Sequence, residues 1–537
     1  MKSRLLLITA LCLLAQTRAA SCDDSLPAEI DLRIRQKLEA QKIQPAPAAD
    51  DAVLLRRLTL DLVGRIPTVA ETQAYLKSSA PDKRRQAVER LMQSPGFVRH
   101  QAREFNTLLM SGVNGDLNDY LRKAFTENRP WDRMFREMLL GEKDDPKQEG
   151  AIRFVRSRAS DLDKLTNQTS AIFFGINISC ARCHDHPLVD DWKQAHFFGM
   201  KSFFNRTFDN GGLIGEREYG LVSYKTTEGE SKQAQLMFLN GQVLAEPEVK
   251  EPDNEAKKAQ KKQLDELKKK KQAPPKPSFS RREQLVQAAL QAEQKKQTPY
   301  LARALANHLW RRFLGYALVE PVDQLHPENE PSHPQLLTLL AEDVIDHRYD
   351  IRRLIRGIVL SDTYARSSRW ESDQPRPEPY YFAAANVRPL SPHQYAMALK
   401  IASYNPDQFP ADLKPEEFEK RIESLENSAR GFASQLEQPG EDFQVSATEA
   451  LLFSNGKRFE DDFLRESPSS LLGKLMKTEN PAELVEIAFW TIYNRPPRSE
   501  ESVVVEQYLH RREGRKADAC RQLMWALLAS GECRFNY

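Results

Sequence analysis

The densest group of reactive side chains in the sequence is ISCARCHDHP, Ile178 to Pro187, with two thiols, two imidazoles and a carboxylate in ten residues. Cys180, Cys183 and His184 match the C-x-x-C-H pattern of c-type haem attachment. The spacing has a chemical reason. Two cysteines three apart on one turn can each add to a vinyl group, and the adjacent imidazole then reaches the iron from the proximal side. His186 is too close to His184 to serve as the opposite axial ligand. Met200 and His196 follow at short range, while His100, His326 and His333 could arrive from other helices; a five-coordinate iron is equally permitted.

Three other chemistries fit the same residues. His184, Asp185 and His186, with Cys180 and Cys183, could hold zinc or another divalent metal in a structural or hydrolytic site. The two-residue step from His184 to His186 makes tetrahedral closure around one ion awkward. Cys180 and Cys183 could also form a redox dithiol, although no βαβ pattern surrounds them, or the stretch could be a polar turn with no ligand, as in a scaffold or surface-interaction module. A second candidate, LHPENEPSHP (Leu325 to Pro334), presents His326 and His333 with two carboxylates in a proline-stiffened loop; it reads equally as a rigid connector between helices. No Gly-rich phosphate loop, G-x-S-x-G elbow or H-E-x-x-H occurs, so no enzyme class follows.

The chain of 537 residues exceeds a single ordinary core. Lys+Arg at 78 against Asp+Glu at 76 leaves +2, which gives no general attraction to nucleic acid or an anionic membrane. Lys2 and Arg4, the apolar run Leu5 to Ala15 and the small residues Ala19, Ala20 and Ser21 form an export signal over 1–21. Export predicts a bacterial periplasmic or cell-surface location, and Cys22 is placed where a lipid anchor could be attached. No later segment is apolar for the ~20 residues that span a bilayer. Cys520 and Cys533, on what reads as one C-terminal helix, would stand roughly 15–20 Å apart, too far for a disulfide.

The elements that must position these residues are mostly helical. Val53, Leu54, Leu58 and Leu62 recur at helical spacing before Gly64, and Thr68 with Glu71 predicts a capping box. Helices are expected from Asp82 to Met92 and from Phe97 to Met110. Residues 219–247 turn to β-branched and apolar residues with Gly and Asn turns, predicting a β-hairpin. The stretch 248–280 is Lys-rich and reads as a charged linker without the aromatic interleaving that binds bases. Beyond it, Thr298 and Pro299 are expected to open a helix ended by Gly315, Ser332 with Gln335 to cap the next, and Asp350 the one after. The chain is therefore read as mainly α, with a helical domain over 22–218, the hairpin, the linker, and a second helical domain over 281–537.

Several long stretches carry a family resemblance. LLRRLTLDLVGRIPTVAE (Leu54 to Glu71), VERLMQSPGF (Val88 to Phe97) and FFGINISCARCHDHPLVDDW (Phe173 to Trp192) resemble the planctomycete-type cytochrome-like domain of unknown function. Tyr300 to Ser368, NVRPLSPHQYAMAL (Asn386 to Leu399) and WALLASGECRFNY (Trp525 to Tyr537) resemble its usual C-terminal partner domain. The resemblance implies a helical, exported, two-domain protein whose Cys180, Cys183 and His184 triplet accounts for the cytochrome-like description; the reading preferred for those residues is covalent haem c, with electrons exchanged with a redox partner protein. It supplies no established activity.

Overall fold

The computed structural model describes residues 25–141, 150–185, 189, 192–295, 298–440 and 443–537; residues 1–21, where an export signal is expected, Cys22 and His186 lie outside them. The protein is mainly α, with 58% helix and 5% strand, and its strands pair only into two-stranded antiparallel sheets. No helix among the described residues is long and apolar enough to cross a membrane.

The chain divides into two compact units, each discontinuous in sequence. Among the described residues the first comprises 25–37 and 102–358, and the second 38–101 and 359–537. Grouping by spatial contact thus runs differently from a division along the chain.

The first unit is built around an aromatic centre. Trp131, Phe135, Phe154, Phe173 and Phe174 are all buried, and Phe173 packs edge-on to Phe135 and Phe154 with ring centroids 5.0 Å apart. Edge-to-face contacts of this kind add to the burial of large rings. Phe173 and Phe174 end the helix Leu162–Phe174, which stops at Gly175 in the left-handed region, φ 68°. The helix Tyr300–Leu314 buries Leu301, Leu305, Leu309 and Phe313 on the expected stripe and ends at Gly315.

Its start differs from the expectation at Thr298. Pro299 stands at the cap position without a side-chain cap, and the carboxylate of buried Glu293 accepts from Leu301 N–H at 2.8 Å and Ala302 N–H at 3.0 Å. Likewise the helix Pro334–Asp346 begins after His333 with no side-chain cap from Ser332. Asp350 does cap its helix, accepting from Arg353 N–H at 3.1 Å.

The hairpin expected within 219–247 is present as Ser223–Lys225 paired antiparallel with Ser231–Gln233. A second strand pair, Thr207–Asp209 with Ile214–Glu216, precedes it. The Lys-rich stretch contains a helix, Asn254–Lys269, capped by Asp253 and burying no residue. Its Lys, Glu, Ala, Gln and Leu are strong helix formers, and the stretch expected to be a solvated linker rests one face on the strand region, where the Asn210 amide donates to the Leu264 carbonyl at 2.9 Å and the Tyr219 hydroxyl to Gln260 at 2.8 Å.

In the second unit the helix Asp51–Val63 ends at Gly64, φ 72°, and a Cβ there would lie 2.4 Å from the His100 ring. The Thr68–Glu71 capping box forms as expected, with Arg65 paired to Glu71 at 2.7 Å. Helix Lys83–Gln93 ends as read, but the next begins at Pro95, where proline fits the first turn. The core joins Leu60 and Ile66 to Tyr395, Leu399, Phe459, Phe489 and Met524. Cys520 and Cys533 are both buried free thiols, but they lie on separate helices, Lys516–Leu528 and Gly531–Arg534. The single C-terminal helix is interrupted because Ser530 caps a new one, accepting from Cys533 N–H.

Candidate functional site

The C-x-x-C-H residues lie in the first unit, on a loop between two helices, Leu162–Phe174 and Gln194–Ser202. Gly175 lets the chain reverse, and Ile176 pairs antiparallel with Gln324. Asn177 N–H donates to the Asp323 carbonyl at 2.7 Å and its side-chain amide donates to the Asp323 carboxylate at 2.9 Å. Ile178 and Ala181 are fully buried, so the loop is anchored by its apolar residues. Cys180 to Arg182 form one 3-10 turn, closed by Cys183 N–H to the Cys180 carbonyl at 3.2 Å.

This anchoring turns the reactive residues outward: Cys180, Cys183, His184 and Asp185 are exposed, and both cysteines are free thiols. The Nδ1 of His184 lies 2.7 Å from the Asp185 backbone carbonyl. A carbonyl can only accept, so Nδ1 carries a proton, which in the imidazole form leaves the lone pair on Nε2. This is the tautomer that metal-ligating histidines adopt when their second nitrogen is held by the backbone.

The Asp185 carboxylate is engaged, accepting from Gln194 N–H at 2.9 Å at the start of the following helix. Gln194, itself buried, donates through its side-chain amide to the carbonyls of Cys183 at 3.1 Å and Lys225 at 3.4 Å. Arg182 and Lys201 both pair with Asp163, at 3.4 Å and 2.6 Å, on the helix before the loop. The donor set fits a c-type attachment site: two accessible thiols on one turn and an imidazole with Nε2 available. Among the described residues no group of three or more His, Cys, Asp or Glu is gathered as for a metal ion, and His186, the remaining member of the zinc reading, lies outside them.

The other residues considered as axial ligands are dispersed. Met200 is fully buried within Gln194–Ser202, and His100 belongs to the second unit. His333 is buried, and burial, with Lys37 nearby, lowers its pKa to about 4. His196 and His326 both line a cavity of ≈ 710 Å³, whose wall also includes Ile176, Trp192 and Tyr300. The Trp192 and His326 rings meet edge to face at 5.2 Å.

Sequence reasoning located the thiols and the imidazole but missed Gln194, Asn177 and Asp323, which hold the loop. Their only local signal is polar residues flanking an apolar anchor; their partners are remote in sequence, as with Asn177 and Asp323.

The fold and loop define a mainly helical protein displaying an exposed Cys-x-x-Cys-His turn. Residues 29–209 match the family PSCyt2, described as a protein of unknown function (DUF1549), and residues 281–432 match PSD1, a protein of unknown function (DUF1553). The chain thus carries two domains of unknown function in that order, the first containing the Cys180 turn. No curated protein and no solved structure matches it.

Proposed function

We propose that this is an exported c-type haem protein, with Cys180 and Cys183 as the thioether positions and His184 as the proximal ligand. The observation that carries this reading is the coincidence of two exposed thiols on a single turn with a His184 ring whose Nδ1 is tied to a backbone carbonyl. Bound haem supplies one-electron chemistry. The chain's own part is to hold the attachment turn rigid through Ala181 and Gln194 and to keep it accessible to a redox partner protein.

Export is part of the same reading, because c-type haem is attached outside the cytoplasm; it rests on the charged and apolar pattern of residues 1–21. Cys22 supplies the lipid-attachment variant of that location.

The experiment is expression with the export segment in a host competent for cytochrome c maturation, followed by intact mass and visible spectrum. A covalent haem adduct is expected, absent from C180A/C183A, with a changed spectrum in His184→Ala. A colourless chain of apoprotein mass would overturn the reading, and stoichiometric zinc in that chain would establish the metal alternative at the same residues.

A further inference from the structure

The cavity of ≈ 710 Å³ has the size of a small-molecule site and contains charges the fold does not use. Arg303, on the first turn of Tyr300–Leu314, is half-buried in its wall, yet its guanidinium makes no hydrogen bond and no ion pair among the described residues. Burial pushes its pKa below the ordinary arginine value, with Tyr300 and Glu293 acting in the opposite sense. Glu293 accepts from Leu301 N–H, Ala302 N–H and the Tyr349 hydroxyl and makes no hydrogen bond to Arg303. Lys193 also lines the cavity with no ion pair among the described residues, and Glu330 is the carboxylate at its wall. Among the described wall residues Arg303 and Lys193 are the cations and Glu330 the anion, so one further negative charge would balance them. The Arg303 nitrogens are not among the buried atoms lacking a partner, so its fork of donors opens into the cavity, where a planar acceptor could meet it.

The walls are preformed. Leu325 N–H donates to the Gly175 carbonyl at 2.9 Å, and the side-chain amide of Asn329 donates to the carbonyls of Gln324 at 3.1 Å and Glu320 at 3.3 Å. The loop bearing His326 and Glu330 is therefore held by its own hydrogen bonds. The partly exposed Tyr300 ring, with the largely buried Trp192 packed edge-on to His326 behind it, forms the aromatic part of the wall.

We propose that this cavity is a binding site for a small organic monocarboxylate with a flat apolar body, its carboxylate held by Arg303 and Lys193 and its ring lying against Trp192 and Tyr300. A carboxylate matches the planar guanidinium and supplies the one charge the site lacks; a phosphate monoester would bring close to two. The site does not depend on haem attachment at Cys180 and Cys183.

The test is calorimetric titration of the full chain with benzoate, with benzamide as its neutral counterpart of similar shape, and with phenyl phosphate. Saturable benzoate binding at millimolar concentration or below is expected, at least about tenfold tighter than benzamide and tighter than phenyl phosphate. Arg303→Gln should weaken benzoate about tenfold or more, with partial retention in Arg303→Lys; Lys193→Gln, at an exposed position, should weaken it by a smaller factor. The proposal fails if benzamide or phenyl phosphate binds as well as benzoate, if benzoate does not saturate, or if both Gln variants bind benzoate like the parent. The titration is run on chain produced without haem loading, so its failure and failure of the haem reading are separate results.

Discussion

The side-chain amide of Gln194 donates to the backbone carbonyl of Cys183 at 3.1 Å, so the residue that opens one helix holds the turn that displays the thiols. Gln194→Ala leaves the carbonyls of Cys183 and Lys225 without this donor. A loss of about 1–3 kcal/mol in unfolding free energy is expected by urea denaturation, together with faster alkylation of Cys183 as the turn loosens.

The thiols themselves should contribute little to folding. Cys180 and Cys183 are exposed and unpaired, so C180A/C183A should change stability by no more than about 0.5 kcal/mol in chain lacking haem. A larger loss would mean that the thiols are structural, in conflict with the haem reading.

Gly175 and Leu325 test the cavity wall. At Gly175, φ +68°, an added Cβ would lie 2.3 Å from Leu325 Cδ1 and 3.4 Å from Ala304 Cβ. Gly175→Ala should cost about 1–2 kcal/mol for the left-handed backbone and about 1–3 kcal/mol for overpacking. Adding Leu325→Ala should relieve the overpacking portion, so the two substitutions should be non-additive in a double-mutant cycle.

In the second unit, buried Asp61 accepts from the Tyr364 hydroxyl and Arg388, each at 2.8 Å, and from the Asn536 amide at 2.9 Å. It thereby ties the first helix of that unit to the C-terminal residues. Tyr364→Phe should lose about 1.5–3 kcal/mol as a hydrogen bond to a charged group disappears. Asp61→Ala should lose more, about 3–5 kcal/mol, because it strands the Arg388 charge.

Acid should destabilise the first unit through His308. Burial, reinforced by Arg311, lowers its pKa from 6.5 to about 4, against smaller opposing effects of Asp323 and the Ile172 backbone. The folded state thus binds this proton less readily than the unfolded chain. Stability is complete above pH 6.5 and falls by roughly 3 kcal/mol as pH drops to about 4. His308→Gln should flatten that portion of the stability curve between pH 7 and pH 4, measured as the difference from the parent at each pH.

What could be read from the sequence was what neighbouring residues decide among themselves. The Thr68–Glu71 capping box, the glycine stops at Gly64 and Gly315, the apolar stripe from Leu301 to Phe313 and the C-x-x-C-H spacing are relations across a few residues, fixed by backbone geometry and side-chain chemistry. Tertiary structure decided the rest, because the partners lie beyond the few residues over which backbone geometry acts, some of them far along the chain. Glu293 displaced Thr298 as the acceptor at the start of Tyr300–Leu314 because a buried carboxylate can reach two helix N–H groups that local residues leave open. Asp323, 146 residues from Asn177, anchors the loop that carries Cys180 and Cys183. The cavity with Arg303, Lys193 and Glu330 exists only where these distant segments close around one space, a relation that no local pattern of polar and apolar residues encodes.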